Sequence, residues 1–119
     1  MENLTFGSFV RMKRLDKDMS LREIAQKLKY SATFWSDVEN QRRNPPDLDK
    51  LNEVAAVLNL SEEDKEILYD LAGKAVNITP PDLTPYILET ESVRRALRKA
   101  KAKATDDDWE NFSQMLDSK

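Results

Sequence analysis

MSLREIAQKLKYSATFWSDVENQRRNPP, residues 19–46, has the spacing of two short helices joined by a tight turn. Ser20 can cap the first helix, and Glu23 three residues later completes a capping box. Apolar residues then recur at helical spacing, at Leu21, Ile24, Ala25 and Leu28. Ser31 offers a second N-cap shortly afterwards. The stretch therefore predicts a helix, a turn and a second helix.

The helix after Ser31 is expected to have two unlike faces. Its spacing puts Trp35 and Val38 on the apolar side, and Tyr30 just before it is also expected to pack in the core. Polar side chains remain available to solvent or to a ligand at Thr33, Ser36, Asp37 and Asn40. A helix of this kind can bind through one edge while it packs through the other.

The same stretch resembles the helix-turn-helix of the phage-repressor and Cro-like (xenobiotic-response-element type) regulators. The shared features are the serine that opens the first helix, an Ile-Ala pair, a leucine before the turn, Ser-Asp-Val-Glu-Asn at the end of the second helix, and Arg-Arg-Asn-Pro in the loop. The resemblance covers about the first half of the chain and implies five helices. These regulators usually have glycine where Lys29 and Gln41 stand, so strained or altered turns are expected there.

The resemblance also implies roles for individual residues. The positions that would face base edges are Ala32, Thr33, Ser36 and Asp37, while Phe34 would either reach a thymine methyl group or pack beside Trp35. The positions that would hold the sugar-phosphate backbone are Ser20, Arg22, Ser31, Asn40, Arg42 and Arg43. Arg14 would pair with Glu39 and join the first helix of the chain to the recognition helix. The alternative for that pair is two independent surface charges.

Composition limits the classes of protein to consider. With 119 residues and 39% hydrophobic content, the chain fits one compact domain plus an appendage, and no apolar run is long enough to cross a membrane. It contains neither cysteine nor histidine, so a disulfide, a thiolate metal site and the commonest zinc ligand are excluded. No cofactor, metal or membrane partner is expected, and no secretory signal is recognisable. The expected location is cytoplasmic.

Charge is distributed unevenly along the chain, although the net charge is only −3. Residues 1–46 have nine Lys/Arg against six Asp/Glu, residues 47–90 have three against ten, and residues 91–119 have seven against six. The basic excess coincides with the helix-turn-helix, as neutralisation of phosphate requires. The excess is modest, and runs of surface charge are commonly just solvated faces.

The pattern predicts an all-α domain over residues 1–76. A first helix is expected from Thr5, with Phe6, Phe9, Val10, Met12 and Leu15 on one apolar face. Asp47 would cap a fourth helix over residues 48–59, and Ser61 would cap a fifth that ends near Gly73. Together with the two helices of the motif, these make the five expected helices.

Residues 77–90, NITPPDLTPYILET, form a proline-rich arm whose apolar residues, including Tyr86 and Ile87, are too many for a free linker. We expect either an extended arm, laid on the domain or on a second copy, or a segment folded back within one monomer.

Residues 91–119 form a C-terminal helical extension: a basic helix over residues 92–104, then a helix opened by Thr105. The apolar stripe of that last helix consists of Trp109, Phe112, Met115 and Leu116. A short helix cannot bury such a stripe alone, so a dimer or partner interface is expected there.

Three functions can be compared from the sequence. The leading hypothesis is a sequence-specific transcriptional regulator, a repressor by resemblance, that binds a pseudo-palindromic operator in double-stranded DNA as a homodimer. The alternative is an antitoxin that regulates its own operon and binds a toxin through residues 77–119. An enzyme is not expected: no glycine-rich phosphate loop is present, and the acidic residues 62–64 and 106–108 stand where helix N-termini favour carboxylates.

Overall fold

A computed structural model, which describes residues 4–119, has helices as its only regular secondary structure in that part of the chain. The helices are α1 (Phe6–Asp16), α2 (Leu21–Leu28), α3 (Ala32–Glu39), α4 (Leu48–Val57), α5 (Glu62–Ala75), α6 (Thr84–Glu89), α7 (Glu91–Lys103) and α8 (Asp106–Asp117). The prediction of an all-α fold is confirmed for the described residues, and α1–α5 correspond to the five helices expected over residues 1–76. None of the described helices is long and apolar enough to cross a membrane.

The chain divides into two compact units. The first ends at Thr84 and the second is Pro85–Lys119. The division therefore falls inside residues 77–90, the segment expected to link the helix-turn-helix domain to the C-terminal extension.

The core of the first unit is built by α1–α5 around Trp35. α3 packs against α1 and α2, α4 packs against α2 and α5, and α5 returns to α1. The largest fully buried side chains are Trp35, Phe9, Ile24, Leu28, Leu51, Leu58, Leu68, Val10, Val38 and Val54. Leu15 was expected on the apolar face of α1 but is 54% exposed, because the inward position in the last turn of α1 belongs to Arg14.

Helices α1–α5 all end in the same turn, and none of these turns uses glycine. One residue after each helix has left-handed backbone, with φ between 50° and 64°. In chain order these residues are Asp18, Lys29, Gln41, Asn59 and Asn77. After each of them, the next backbone N–H donates to a carbonyl five residues back, as from Tyr30 to Ala25 and from Arg42 to Asp37, both at 2.8 Å. This is the Schellman turn, in which glycine is usual. At Lys29 and Gln41, where glycine was expected to be usual, the turn is thus kept with a residue that has strained left-handed backbone.

Lys29→Gly is expected to raise the free energy of unfolding by about 0.5–1 kcal/mol. The lysine is exposed with φ of 64°, and glycine adopts that backbone without strain, although it gains entropy in the unfolded chain. Lys27→Gly, inside α2, is the matched control and should instead lower stability by about 1 kcal/mol. Thermal melts of the two variants test the prediction, and a lower melting temperature for Lys29→Gly would contradict it.

The proline-rich segment is folded, so the prediction of an extended arm is wrong. Residues 78–80 pass directly over α5: a Cβ built on Gly73 would lie 2.8 Å from the carbonyl oxygens of Ile78 and Thr79. A turn at residues 81–83 then leads into α6. Pro85 lies in the first turn of α6, where the missing N–H would have no helical partner in any case. Residues 78–80 therefore fold back on α5, as the alternative to an extended arm had it.

The second unit has no buried residue of its own. Arg94 joins α6 to α7 by donating from Nη1 to the carbonyl oxygens of Ile87 and Leu88. Thr105 and Asp108 form a capping box at the start of α8. No side chain of α6, α7 or α8 is buried. The apolar stripe of α8 is therefore exposed, with its four side chains 43–50% accessible.

Candidate nucleic-acid interface

Helices α2 and α3 form the motif, and serine caps begin both. Ser20 Oγ accepts from the N–H of Glu23 at 3.1 Å, while Glu23 Oε1 accepts from the N–H of Ser20 at 3.4 Å. Ser31 Oγ accepts from the N–H of Phe34 at 3.0 Å. Trp35 and Val38 are buried in the core. One side of α3 is thus fixed to the domain.

The opposite side of α3 is polar and accessible. Ala32, Thr33 and Asn40 are exposed, and Ser36 and Asp37 are half-buried. Their spacing puts these five residues on one face of the helix. Asn40 Nδ2 donates to the carbonyl oxygen of Ser36 at 2.9 Å and to its Oγ at 3.3 Å, which holds the amide at the end of that face. All the proposed base-facing residues except Phe34 share this edge.

Phe34 packs on the domain instead of standing free. Its ring is stacked on Tyr30 with 4.4 Å between centroids, and the Arg43 guanidinium carbon lies 4.4 Å from the Phe34 centroid. Lys50 Nζ lies 5.0 Å from the Tyr30 centroid. Burial raises the pKa of Tyr30, partly opposed by Lys50, so the phenol is neutral at ordinary pH. Phe34 is thus partly buried against the core, with an arginine contact that the sequence did not reveal.

Glu39 is the buried anchor of α3. Its two oxygens accept from Arg14, from Nε at 2.8 Å and from Nη2 at 2.9 Å, and Oε2 also accepts from the indole N–H of Trp35 at 2.8 Å. Arg14 Nη1 donates to the carbonyl oxygen of Met19 at 2.8 Å. Arg14 and Glu39 are only 6% and 4% exposed. The structure therefore brings together the pair that the resemblance implied and adds the tryptophan, which sequence reasoning missed.

A close approach of α1 supports the end of α3. A Cβ built on Gly7 would lie 2.3 Å from the Glu39 carbonyl oxygen, so only glycine leaves room for this contact. Gln41 Nε2 donates to Thr5 Oγ1 at 2.8 Å and to the Glu39 carbonyl oxygen at 3.0 Å. The turn after α3 is therefore attached to the N-terminus of α1. Neither the Gly7 contact nor the Gln41 bridge was foreseen, because each links residues far apart in the sequence.

The remaining candidate residues belong to two groups. Ser20 and Arg22, at the start of α2, and Arg42 and Arg43, after α3, are all exposed. The proposed partner residues belong to the second unit. Tyr86, Trp109, Phe112 and Leu116 are exposed, and Ile87 is half-buried. Within residues 4–119 there is no group of three or more acidic side chains arranged to hold a metal ion.

Two capped helices at a tight turn, anchored by a buried ion pair and presenting one polar edge beside exposed arginines, define the helix-turn-helix class of DNA-binding domains. A family model described as a helix-turn-helix domain matches residues 5–68, more than half of the chain. The chain belongs to this family, and its resemblance to the phage-repressor and Cro-like regulators is confirmed. It is a DNA-binding transcriptional regulator.

Among solved structures, a chain of the SinR protein/SinI protein complex is similar, with 18% sequence identity and a TM-score of 0.45. The alignment covers 95% of this chain and 95% of that chain. No curated protein matches the sequence.

Proposed function

We propose that the protein is a sequence-specific repressor that binds a pseudo-palindromic operator in double-stranded DNA as a homodimer. The observation that supports this most directly is the polar edge of α3, held outward by the contacts of Trp35 and Glu39. A helix with a free edge fits the major groove, where each base pair presents a distinct set of donors, acceptors and methyl groups.

The proposed base contacts follow from the chemistry of that edge. Thr33 and Ser36 have hydroxyl groups that can donate or accept, so they suit several bases. Asp37 only accepts and would pair with a cytosine amino group. The Ala32 methyl group would contact a thymine methyl group. Phe34 would contribute from the margin, because its ring is packed on Tyr30.

The proposed backbone contacts surround the edge of α3. Ser20 and Ser31 cap helices whose N-termini have free N–H groups and a partial positive charge, both of which favour a phosphate. Exposed side chains that could donate to phosphates belong to Arg22, Asn40, Arg42 and Arg43. These contacts would fix the register of the protein on DNA without reading sequence.

Dimerisation is proposed through the second unit. A segment of 35 residues is too small to bury a core, and Pro85–Lys119 contains no buried residue. The exposed stripe of α8 with Tyr86 and Ile87 would become buried against a second copy. A two-fold dimer would then present two α3 helices to half-sites about one DNA turn apart.

Arg42→Ala is expected to weaken binding to every DNA sequence and to reduce the salt-dependence slope by about one. Thr33→Ala or Ser36→Ala should instead change the preference among sequences, at about 1–3 kcal/mol for each lost base contact. Arg11→Ala, an exposed arginine of α1, is the matched control for lost positive charge. Titration of a random duplex and of a duplex selected from a random pool, at several salt concentrations, separates the classes. Equal effects of Arg42→Ala and Thr33→Ala on both duplexes would contradict the assignment.

A second candidate function, an antitoxin, is favoured by the same uncovered stripe in Pro85–Lys119. In that case a toxin, in place of or besides a second copy, would cover residues 77–119. A small toxin reading frame beside the gene would support it, as would a partner that co-purifies with the full chain but not with residues 1–84. Truncation after residue 84 keeps the segment that packs over Gly73. Either function would be exercised in the cytoplasm.

A further inference from the structure

We propose that Asp37 restrains Arg42 and Arg43 in the free protein and so limits binding to DNA of arbitrary sequence, which makes Asp37 a specificity-determining residue. The inference rests on the proposed function, because it concerns the surface that would contact DNA. It assigns to Asp37 an electrostatic role beyond the single base contact considered above.

The carboxylate of Asp37 faces both arginines. Asp37 Oδ1 lies 3.7 Å from Arg42 Nη1, and Asp37 Oδ2 lies 3.9 Å from Arg43 Nε. Both distances exceed hydrogen-bond length, so the attraction is between charges. The side chains of Arg42 and Arg43 are 71% and 52% exposed, whereas that of Asp37 is 29% exposed. Two exposed cations thus share one partly buried anion.

The backbone holds these three residues together. Gln41 has φ of 59°, and the chain reverses there so that the N–H of Arg42 donates to the Asp37 carbonyl oxygen at 2.8 Å. Arg43 is held from another side by the Phe34 ring, 4.4 Å from its guanidinium carbon. The grouping is therefore imposed by the turn that ends α3 and by a packed aromatic ring.

This arrangement affects random and specific DNA differently. A phosphate that binds Arg42 or Arg43 must compete with Asp37, and the carboxylate also repels the phosphate, whatever the base sequence. A site with a cytosine amino group opposite Asp37 would provide a hydrogen bond that compensates for this cost. Specificity then arises partly because Asp37 makes binding to any DNA electrostatically less favourable, and only the correct site offsets this cost.

Asp37→Asn tests the inference, with Asp70→Asn, an exposed carboxylate of α5, as the control for the same change in net charge. Asp37→Asn is expected to bind a random-sequence duplex about three- to tenfold more tightly at 0.1 M salt, and Asp70→Asn less than about twofold more tightly. The gain should be smaller on the duplex selected by the wild-type protein. Equal gains for Asp37→Asn and Asp70→Asn, or no gain for Asp37→Asn, would overturn the inference.

Two further measurements test whether Asp37 acts through the two arginines. In a background with Arg42→Ala and Arg43→Ala, Asp37→Asn should give no gain on random DNA, and a persisting gain would mean that the carboxylate acts without the arginines. The Nε–H resonance of Arg43, followed by NMR without DNA, should shift in Asp37→Asn and not in Asp70→Asn. If the wild-type protein bound neither duplex, the proposed function would fail, while the resonance would still decide whether Asp37 restrains Arg43.

Discussion

Glu39→Ala is expected to lower the free energy of unfolding by about 3–5 kcal/mol, because it leaves a buried guanidinium without its partner. The carboxylate accepts three hydrogen bonds, two from Arg14 and one from the indole N–H of Trp35. These three N–H groups would remain in the core without an acceptor, and only Arg14 Nη1 would keep its bond, to the Met19 carbonyl oxygen. A loss of this size is a large fraction of the 5–15 kcal/mol typical of a domain. Thermal and urea unfolding of the full chain measure it.

The control for Glu39→Ala is Glu53→Ala. Glu53 also pairs with a cation, Lys50 at 3.3 Å, but its side chain is 50% exposed. Its removal should cost less than about 1 kcal/mol. At temperatures where Glu39→Ala is still folded, its preference among DNA sequences should be unchanged, because the carboxylate faces the core. A melting temperature of Glu39→Ala equal to that of the wild type would exclude the anchoring role.

Phe112→Asp is expected to abolish self-association and to weaken binding to a two-half-site duplex by about 10²–10⁴-fold. Phe112 is 46% exposed and packs edge to face on Trp109, with 6.3 Å between centroids, at the centre of the α8 stripe. A carboxylate there would need to be desolvated in any interface that covers the stripe. Binding to a single half-site should not change, because each helix-turn-helix would remain intact.

Gln114→Asp is the matched control for Phe112→Asp. It introduces the same charge on the same helix, two residues away and hence on the opposite side of α8. Analytical ultracentrifugation gives the oligomeric state, and titration of one-site and two-site duplexes gives the avidity. A Phe112→Asp protein that remained dimeric would show that the stripe is not the interface between copies. A wild-type monomer would favour the toxin-binding alternative.

The helix starts could be predicted from the sequence because their causes are local. A serine or threonine hydroxyl and the N–H it accepts from lie three residues apart, as for Ser20, Ser31 and Thr105. The helix ends were harder to predict, because α1–α5 close on left-handed residues without glycine, the usual signal. The helix in the proline-rich segment was also hard to predict, because proline disfavours the interior of a helix but not its first turn, where Pro85 lies.

The candidate site was predictable only in part. Helical periodicity separates Trp35 and Val38 from the polar edge of α3, so the two faces of the recognition helix follow from spacing alone. Periodicity could not show that Arg14, in place of Leu15, turns inward, since that depends on Glu39, 25 residues away. The contact of Arg43 with Phe34 likewise depends on the direction in which the chain leaves the turn at Gln41.

Sequence pattern alone predicts helices α1–α5, α7 and α8 and the polar edge of α3, because hydrogen bonds and side-chain spacing within one helix act over three or four residues. How that edge is held and charged depends on contacts between helices. The ion pair of Arg14 with Glu39, the glycine contact at residue 7 and the grouping of Asp37 with two arginines all require distinct parts of the chain to meet. Such meetings depend on packing, and no local pattern of residue types encodes them.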